Sequence, residues 1–325
     1  PRIIDHAQYT AAAPFSPNYF KPGTGWGTFK GTVDAATMKN GDGATNGLYK
    51  QAAIYSPILS DANASKITTL VIDYGVNKIA PQSLGNKTVS SLTTIVYPEG
   101  VSAEGYIFAN NQSVATVICA PVSEHILPAA TQEKDFGNVI DLSGLDSMSL
   151  QYAFSGVVMA ENIILPINNT TSTRTMYTFN GCTNLKRVWT IGDEVPAEGT
   201  INLTGSSTLK SFCRRAFEGV PASTILMPAT FEGVGYSSMI MEQQDDSIRV
   251  FGTDVAHTIV LVNHKGLTAK FVQWNEGGLI AYQDKLHSLD NDNVDKIRVT
   301  CPIDGVEMTK TIAEWKAYFE ANPVQ

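Results

Sequence analysis

Hydrolytic chemistry on sugars needs two carboxylates facing each other across a groove, one to protonate the leaving oxygen and one to attack or to activate water. The acidic residues that could form such a pair, Glu104, Glu124, Glu133, Asp146 and Glu161, are scattered and do not return at one position of any pattern. Metal chemistry needs convergent ligands. His257 and His264 stand seven residues apart at the two ends of a β-branched stretch, while His6, His125 and His287 are isolated, so the histidines read as surface-loop residues. The run Asp290-Asn291-Asp292-Asn293-Val294-Asp295 gathers carboxylate and amide oxygens, the hard ligands that calcium prefers. Val294 falls where a ligand belongs and neither glycine nor closing glutamate is in place, so this stretch reads as a solvated turn. Gly23-Thr24-Gly25-Trp26-Gly27 has the wrong spacing for a dinucleotide fingerprint and follows no strand. There is no G-x-S-x-G elbow, no H-E-x-x-H, no phosphate loop and no C-x-x-C pair. The residues therefore predict no catalytic centre, no metal and no cofactor, and a protein that is not an enzyme.

Charge narrows the partners further. The net charge is −8, and no run of Lys or Arg exceeds the pair Arg214-Arg215. A nucleic-acid groove needs a basic stripe to neutralise phosphates, so that partner is excluded, and the same acidity disfavours anionic lipid. No segment approaches the roughly 18 consecutive apolar residues of a membrane span. No charged stretch followed by an apolar one opens the chain, and the start at Pro1 fits a trimmed initiator methionine or a processed chain equally well. The four cysteines, at 119, 182, 213 and 301, are far apart, and Cys119 and Cys182 fall where small apolar residues are otherwise found. Disulfides are possible but not implied. Sequons at Asn63, Asn86, Asn111, Asn168, Asn169 and Asn202 have meaning only where a host glycosylates secreted proteins.

What must position these residues is a repeat. An apolar residue, two mostly polar ones and two or three apolar ones recur from Ile67, Leu92, Val114, Phe136, Ala160, Leu185 and Ala222, at intervals of 25, 22, 22, 24, 25 and 37 residues. Only the last interval breaks step, by about half a repeat. Between copies stands a second phrase, Ala153-Phe154-Ser155-Gly156, Thr178-Phe179-Asn180-Gly181-Cys182 and Ala216-Phe217-Glu218-Gly219, with an echo at Phe108-Ala109-Asn110-Asn111. A period of 20–29 residues is that of one strand plus one turn per unit, and such units bury their apolar faces only by stacking. The pattern predicts one buried row of Leu70, Ile95, Val117, Val139, Ile163, Val188 and Ile225, and a second of Phe154, Phe179 and Phe217.

The fullest copy, Phe179-Asn180-Gly181-Cys182-Thr183-Asn184-Leu185-Lys186-Arg187-Val188, resembles the BspA-like class of bacterial leucine-rich repeats. The resemblance covers about residues 65–230, and it implies core-facing Phe and Cys positions and attachment of a cell surface to host proteins or to other bacteria.

Three segments follow. Residues 1–64, with Phe15, Tyr19, Phe20 and Trp26 among glycines and prolines, read as an irregular aromatic cap or arm. Residues 65–235 read as a leucine-rich-repeat-type solenoid. Residues 236–325 read as a small β-rich domain, with strands near Ser247–Phe251, Thr258–Val262, Lys270–Trp274 and Lys296–Cys301, ending in a helix announced by the capping box Thr311-Ile312-Ala313-Glu314. The fold class is thus mainly β.

The expected function is non-enzymatic binding or adhesion, extracellular or at a cell surface, through a solenoid face that recognises a protein or a surface glycan. The alternative is a bacteriophage virion protein, head-decorating or tail, in which the chain is one subunit of a larger assembly or a homo-oligomer. Expected partner contacts are Phe15, Tyr19, Phe20 and Trp26 in the arm, and Thr68, Thr93, Thr116, Glu161 and Lys186 pointing outward in register from the repeat.

Overall fold

A computed structural model describes residues 20–21, 26–29, 69–72, 78–79, 84, 93–120, 138–170, 175–212, 215–231, 233–234, 256–261 and 297–323. Thirteen of the described strands form one sheet. They are β1 (Phe20–Lys21), β2 (Trp26–Phe29), β3 (Thr69–Ile72), β5 (Thr94–Pro98), β7 (Thr116–Ala120), β8 (Val139–Asp141), β10 (Asn162–Leu165), β11 (Arg187–Thr190), β12 (Thr200–Asn202), β14 (Thr224–Met227), β16 (His257–Leu261), β17 (Ile297–Ile303) and β18 (Val306–Thr311), in that order across the sheet. β4 (Lys78–Ile79), β6 (Val101–Ala103) and β9 (Leu145–Met148) make a second sheet, and β13 (Ser211–Phe212) with β15 (Gly233–Val234) a third. A single described helix, α1 (Ile312–Ala321), follows β18.

From β2 to β17 every neighbouring pair of the large sheet is parallel, and only the end pairs β1–β2 and β17–β18 are antiparallel. Parallel neighbours cannot be joined by a two-residue hairpin, so each successive strand of the parallel part is reached by a longer connection. Spatial order equals sequence order, and the sheet ends in two edges without closing into a barrel.

Register turns the apolar pattern into rows. Leu70, Ile95, Val117, Ile140, Ile163, Val188, Ile201, Ile225, Ile259 and Val299 stand directly opposite one another from β3 to β17. All of these from Ile95 onward are buried. The expected member Val139 is displaced by Ile140, and Val139 pairs instead with Asn162. Both residues are β-branched and both are buried, so alternation could not distinguish the two registers. Ile201 accounts for the long interval: β12 follows β11 after a short connection, and the sheet gains a strand within the 37 residues that separate two copies of the phrase.

On the other side of the core, one five-residue turn occurs four times among the described residues. It runs Tyr106 to Asn110, Tyr152 to Gly156, Tyr177 to Gly181 and Arg215 to Gly219, with the first and last residue of each at positive φ. The left-handed region suits glycine, so Gly156, Gly181 and Gly219 are inexpensive there. Adjacent turns are tied by backbone bonds: Phe154 N–H donates to Thr178 O (2.9 Å), Gly156 N–H to Asn180 O (2.7 Å), Phe179 N–H to Ala216 O (2.8 Å) and Gly181 N–H to Glu218 O (2.8 Å). The central phenylalanines stack, with centroids 6.0 Å apart for Phe108–Phe154, 5.5 Å for Phe154–Phe179 and 5.8 Å for Phe179–Phe217. Cys182 Sγ donates to the carbonyl of Phe154 in the preceding turn, and Asn111 Nδ2 to that of Leu84, whereas the apolar Val157 and Val220 follow the other two turns.

The boundary expected near residue 235 is crossed by the sheet, since β16 pairs with β14 in parallel and β17 with β16. The two described C-terminal strands span His257–Leu261 and Ile297–Ile303, close to the expected stretches, and those near Ser247–Phe251 and Lys270–Trp274 lie outside the described residues. The capping box is present: Glu314 N–H donates to Thr311 Oγ1 (3.2 Å) and Thr311 N–H to the Glu314 carboxylate (2.7 Å). α1 thereby lays Trp315 and Phe319 over the end of the core, with Trp315 Nε1 donating to Val299 O at 3.0 Å.

Burial makes the core cysteines chemically quiet. It pushes both the Cys119 and the Cys182 thiol up to about 12. At pH 7 the nucleophilic thiolate is then about one part in 10⁵. Maleimide labelling of the native protein at pH 7, read by peptide mapping, should leave both positions unmodified, and denaturation should expose both.

Candidate interaction surface

The expected contacts fall into separate groups. Phe15, Tyr19 and Thr68 lie outside the described residues, as do His264 and the Asp290–Asp295 run. Phe20 and Trp26 belong to strands at the sheet's first edge, where Lys21 pairs with Trp26 and Trp26 with Thr69. Thr93, Glu161 and Lys186 stand in one row just before their strands: Thr93 O accepts the amides of Ala115 and Thr116, and Glu161 O those of Lys186 and Arg187. Thr116 does not share that row. It is the first residue of β7, half-buried, and pairs with Thr94, one position further along.

The row carries charge pairs at its centre. Lys186 Nζ lies 2.8 Å from the Glu161 carboxylate, which holds the ammonium pKa above its ordinary value. Beside it Arg187 bonds the Asn162 side chain at 3.3 Å, the Pro196 carbonyl at 3.1 Å and, at 3.5 Å, the Glu198 carboxylate. The β11–β12 connection therefore folds back on this part of the sheet. Half-buried ion pairs that water still reaches contribute little stability, so their worth lies in orientation.

His257 is not in a surface loop. It opens β16, is 1% exposed, and its Nδ1 lies 2.9 Å from Ala222 O. Burial holds its pKa below the ordinary 6.5, against the pull of that carbonyl. The unfolded chain binds the proton more readily, so stability is complete above the unfolded pKa and declines as pH falls through it. Urea midpoints measured at pH 7.5 and pH 5 should show that decline, and His257→Gln should reduce it.

The feature that residue patterns did not reveal is a column of tyrosines. Tyr106, Tyr152 and Tyr177 open three of the four turns, each half-buried, with ring centroids 4.3 and 4.5 Å apart and planes within 15° of parallel. Their φ values are +64, +52 and +54°, a region that bulky side chains avoid. Beside the rings run polar groups in the same repeat: Ser155 and Asn180 are linked at 3.5 Å, Asn180 and Glu218 at 3.3 Å, and Glu218 and Arg215 at 3.2 Å. The signal was a Tyr-x-Phe spacing, two residues ahead of the recognised phenylalanines.

Among the described residues no three His, Cys, Asp or Glu side chains gather as a metal site, and no helix is long and apolar enough to cross a membrane. The comparisons leave the lineage open: no family model, no curated protein and no solved structure matches this chain.

Proposed function

We propose that the chain is a non-enzymatic binding or adhesion protein built as a leucine-rich-repeat-type solenoid of the BspA-like kind, recognising a protein or a surface glycan outside the cell. The observation that carries this reading is the tyrosine column. Three non-glycine residues held at positive φ cost on the order of 1–3 kcal/mol each, and ring stacking returns only about 0.5–1.5 kcal/mol per pair. The fourth turn has Arg215 at the same position, also at positive φ, so the turn by itself does not call for an aromatic ring. Tyrosine supplies rigid amphipathic contact area with few rotatable bonds, which is what a recognition surface uses. The in-register strands support the solenoid part of the reading, because stacked units hold such a column straight.

Tyr106→Asn, Tyr152→Asn and Tyr177→Asn combined provide the test, since asparagine tolerates the left-handed region. The triple variant should keep the wild-type melting midpoint within a few degrees and lose at least tenfold in binding to immobilised bacterial or host cell-surface material. Unchanged binding, or a collapsed melt, would make the column structural. Assembly of the wild-type chain into particles would favour the virion subunit instead.

A further inference from the structure

We infer that this chain folds where asparagine is not glycosylated, because two of its sequons lie on side chains that the core consumes. Asn111, acceptor of the sequon completed by Ser113, is 1% exposed. Its Nδ2 donates to Leu84 O at 2.7 Å, and its Oδ1 accepts the amides of Ser113 at 3.2 Å and Val114 at 3.0 Å. Asn169, completed by Thr171, is fully buried; its Nδ2 donates to Thr190 Oγ1 at 3.3 Å and its Oδ1 accepts from Ser206 Oγ at 2.6 Å. Asn202 is buried as well, at 8% exposed, with its Oδ1 bonded to the amide and hydroxyl of Thr204 at 3.0 and 2.7 Å. Asn168 is the contrast: it is exposed, one residue from Asn169 and completed by Thr170.

Glycosylation forms a bond between Asn Nδ2 and the anomeric carbon of a lipid-linked oligosaccharide diphosphate. The carbon–oxygen bond to the diphosphate breaks, the lipid diphosphate leaves, and the amide gives up one proton. One N–H remains, so loss of a hydrogen bond is the smaller effect. Volume decides: even one sugar ring is larger than the space a fully packed site can yield, and overpacking a core is destabilising. Attachment precedes folding in a secretory pathway, so a glycan at Asn111 or Asn169 would stop the turns on either side from stacking.

The test uses the full chain behind a secretion signal in yeast. Alanine replacing Ser65, Thr88, Ser113, Thr170, Thr171 and Thr204 removes all six sequons, and each site is then restored singly. The chain keeping only Asn168 should be secreted with its glycan and with a native melt. The chain keeping only Asn111 should show at least a tenfold smaller folded, glycosylated fraction. Secreted Asn111-only protein with a mapped glycan and a native melt would overturn the inference. For the unaltered chain, an inhibitor of lipid-linked oligosaccharide synthesis should raise the folded secreted yield at least tenfold; a yield unmoved by the inhibitor counts against the inference.

Discussion

Replacing Phe179 with alanine should lower stability by about 3–5 kcal/mol, the range for removing a buried aromatic ring. The ring is fully buried and is stacked on both faces, against Phe154 at 5.5 Å and Phe217 at 5.8 Å. Its loss opens a gap in the middle of the row, between the rings of the two adjacent turns. Stability in such a stack is close to a sum of unit and interface contributions, so the damage should spread to the turns at Tyr152–Gly156 and Arg215–Gly219. A urea titration followed by hydrogen exchange on β10 and β11 would report both effects. An unchanged midpoint would mean that the ring row is decoration on a core held elsewhere.

Trp315→Ala should cost a similar amount, about 3–5 kcal/mol, but in a different place. Trp315 is fully buried, lies against Phe319 with centroids 5.8 Å apart, has Lys310 Nζ 5.9 Å from its ring centre, and bonds Val299 O through its indole nitrogen. Every one of these partners belongs to the last two strands or to α1. Its removal should therefore free the end of the sheet while the centre holds. Proteolysis after residue 311 should quicken sharply, and amides of β17 and β18 should lose protection before those of β10. If Trp315→Ala and Phe179→Ala melted in the same cooperative transition with the same loss of protection, neighbour-only coupling would be wrong.

These two side chains were legible from sequence for different reasons. Phe179 announced itself because Phe-x-Gly recurs, and the repeat demands a buried ring ahead of a left-handed glycine. For Trp315 the capping box Thr311-Ile312-Ala313-Glu314, a local signal, announced the helix that carries it. Ile140 was misread as Val139 because two adjacent buried β-branched residues carry no alternation. Tyr106, Tyr152 and Tyr177 were missed because local preference argues against a tyrosine in their conformation, and only tertiary pairing holds them there. His257 misled for a related reason: a polar side chain at a strand's first residue looks exposed until the next strand covers it.

The mismatch between strands and turns also sets which way the molecule bends. The turns bearing Phe108, Phe154, Phe179 and Phe217 follow one another directly, yet twice an interval between them holds two strand steps, β7 to β8 and β11 to β12. Between the outer two rings the sheet side takes five steps, about 24 Å at the usual strand spacing. The ring side covers the same stretch in about 17 Å. Over this stretch, as in masonry with extra wedges on one face, the difference favours an arch with the sheet on its outer curve and the phenol column on its inner one. Curvature is then written in the chain as the number of omitted turns, separately from length. Inserting one Tyr-x-Phe-x-Gly turn between β11 and β12 would straighten the arch without adding a strand.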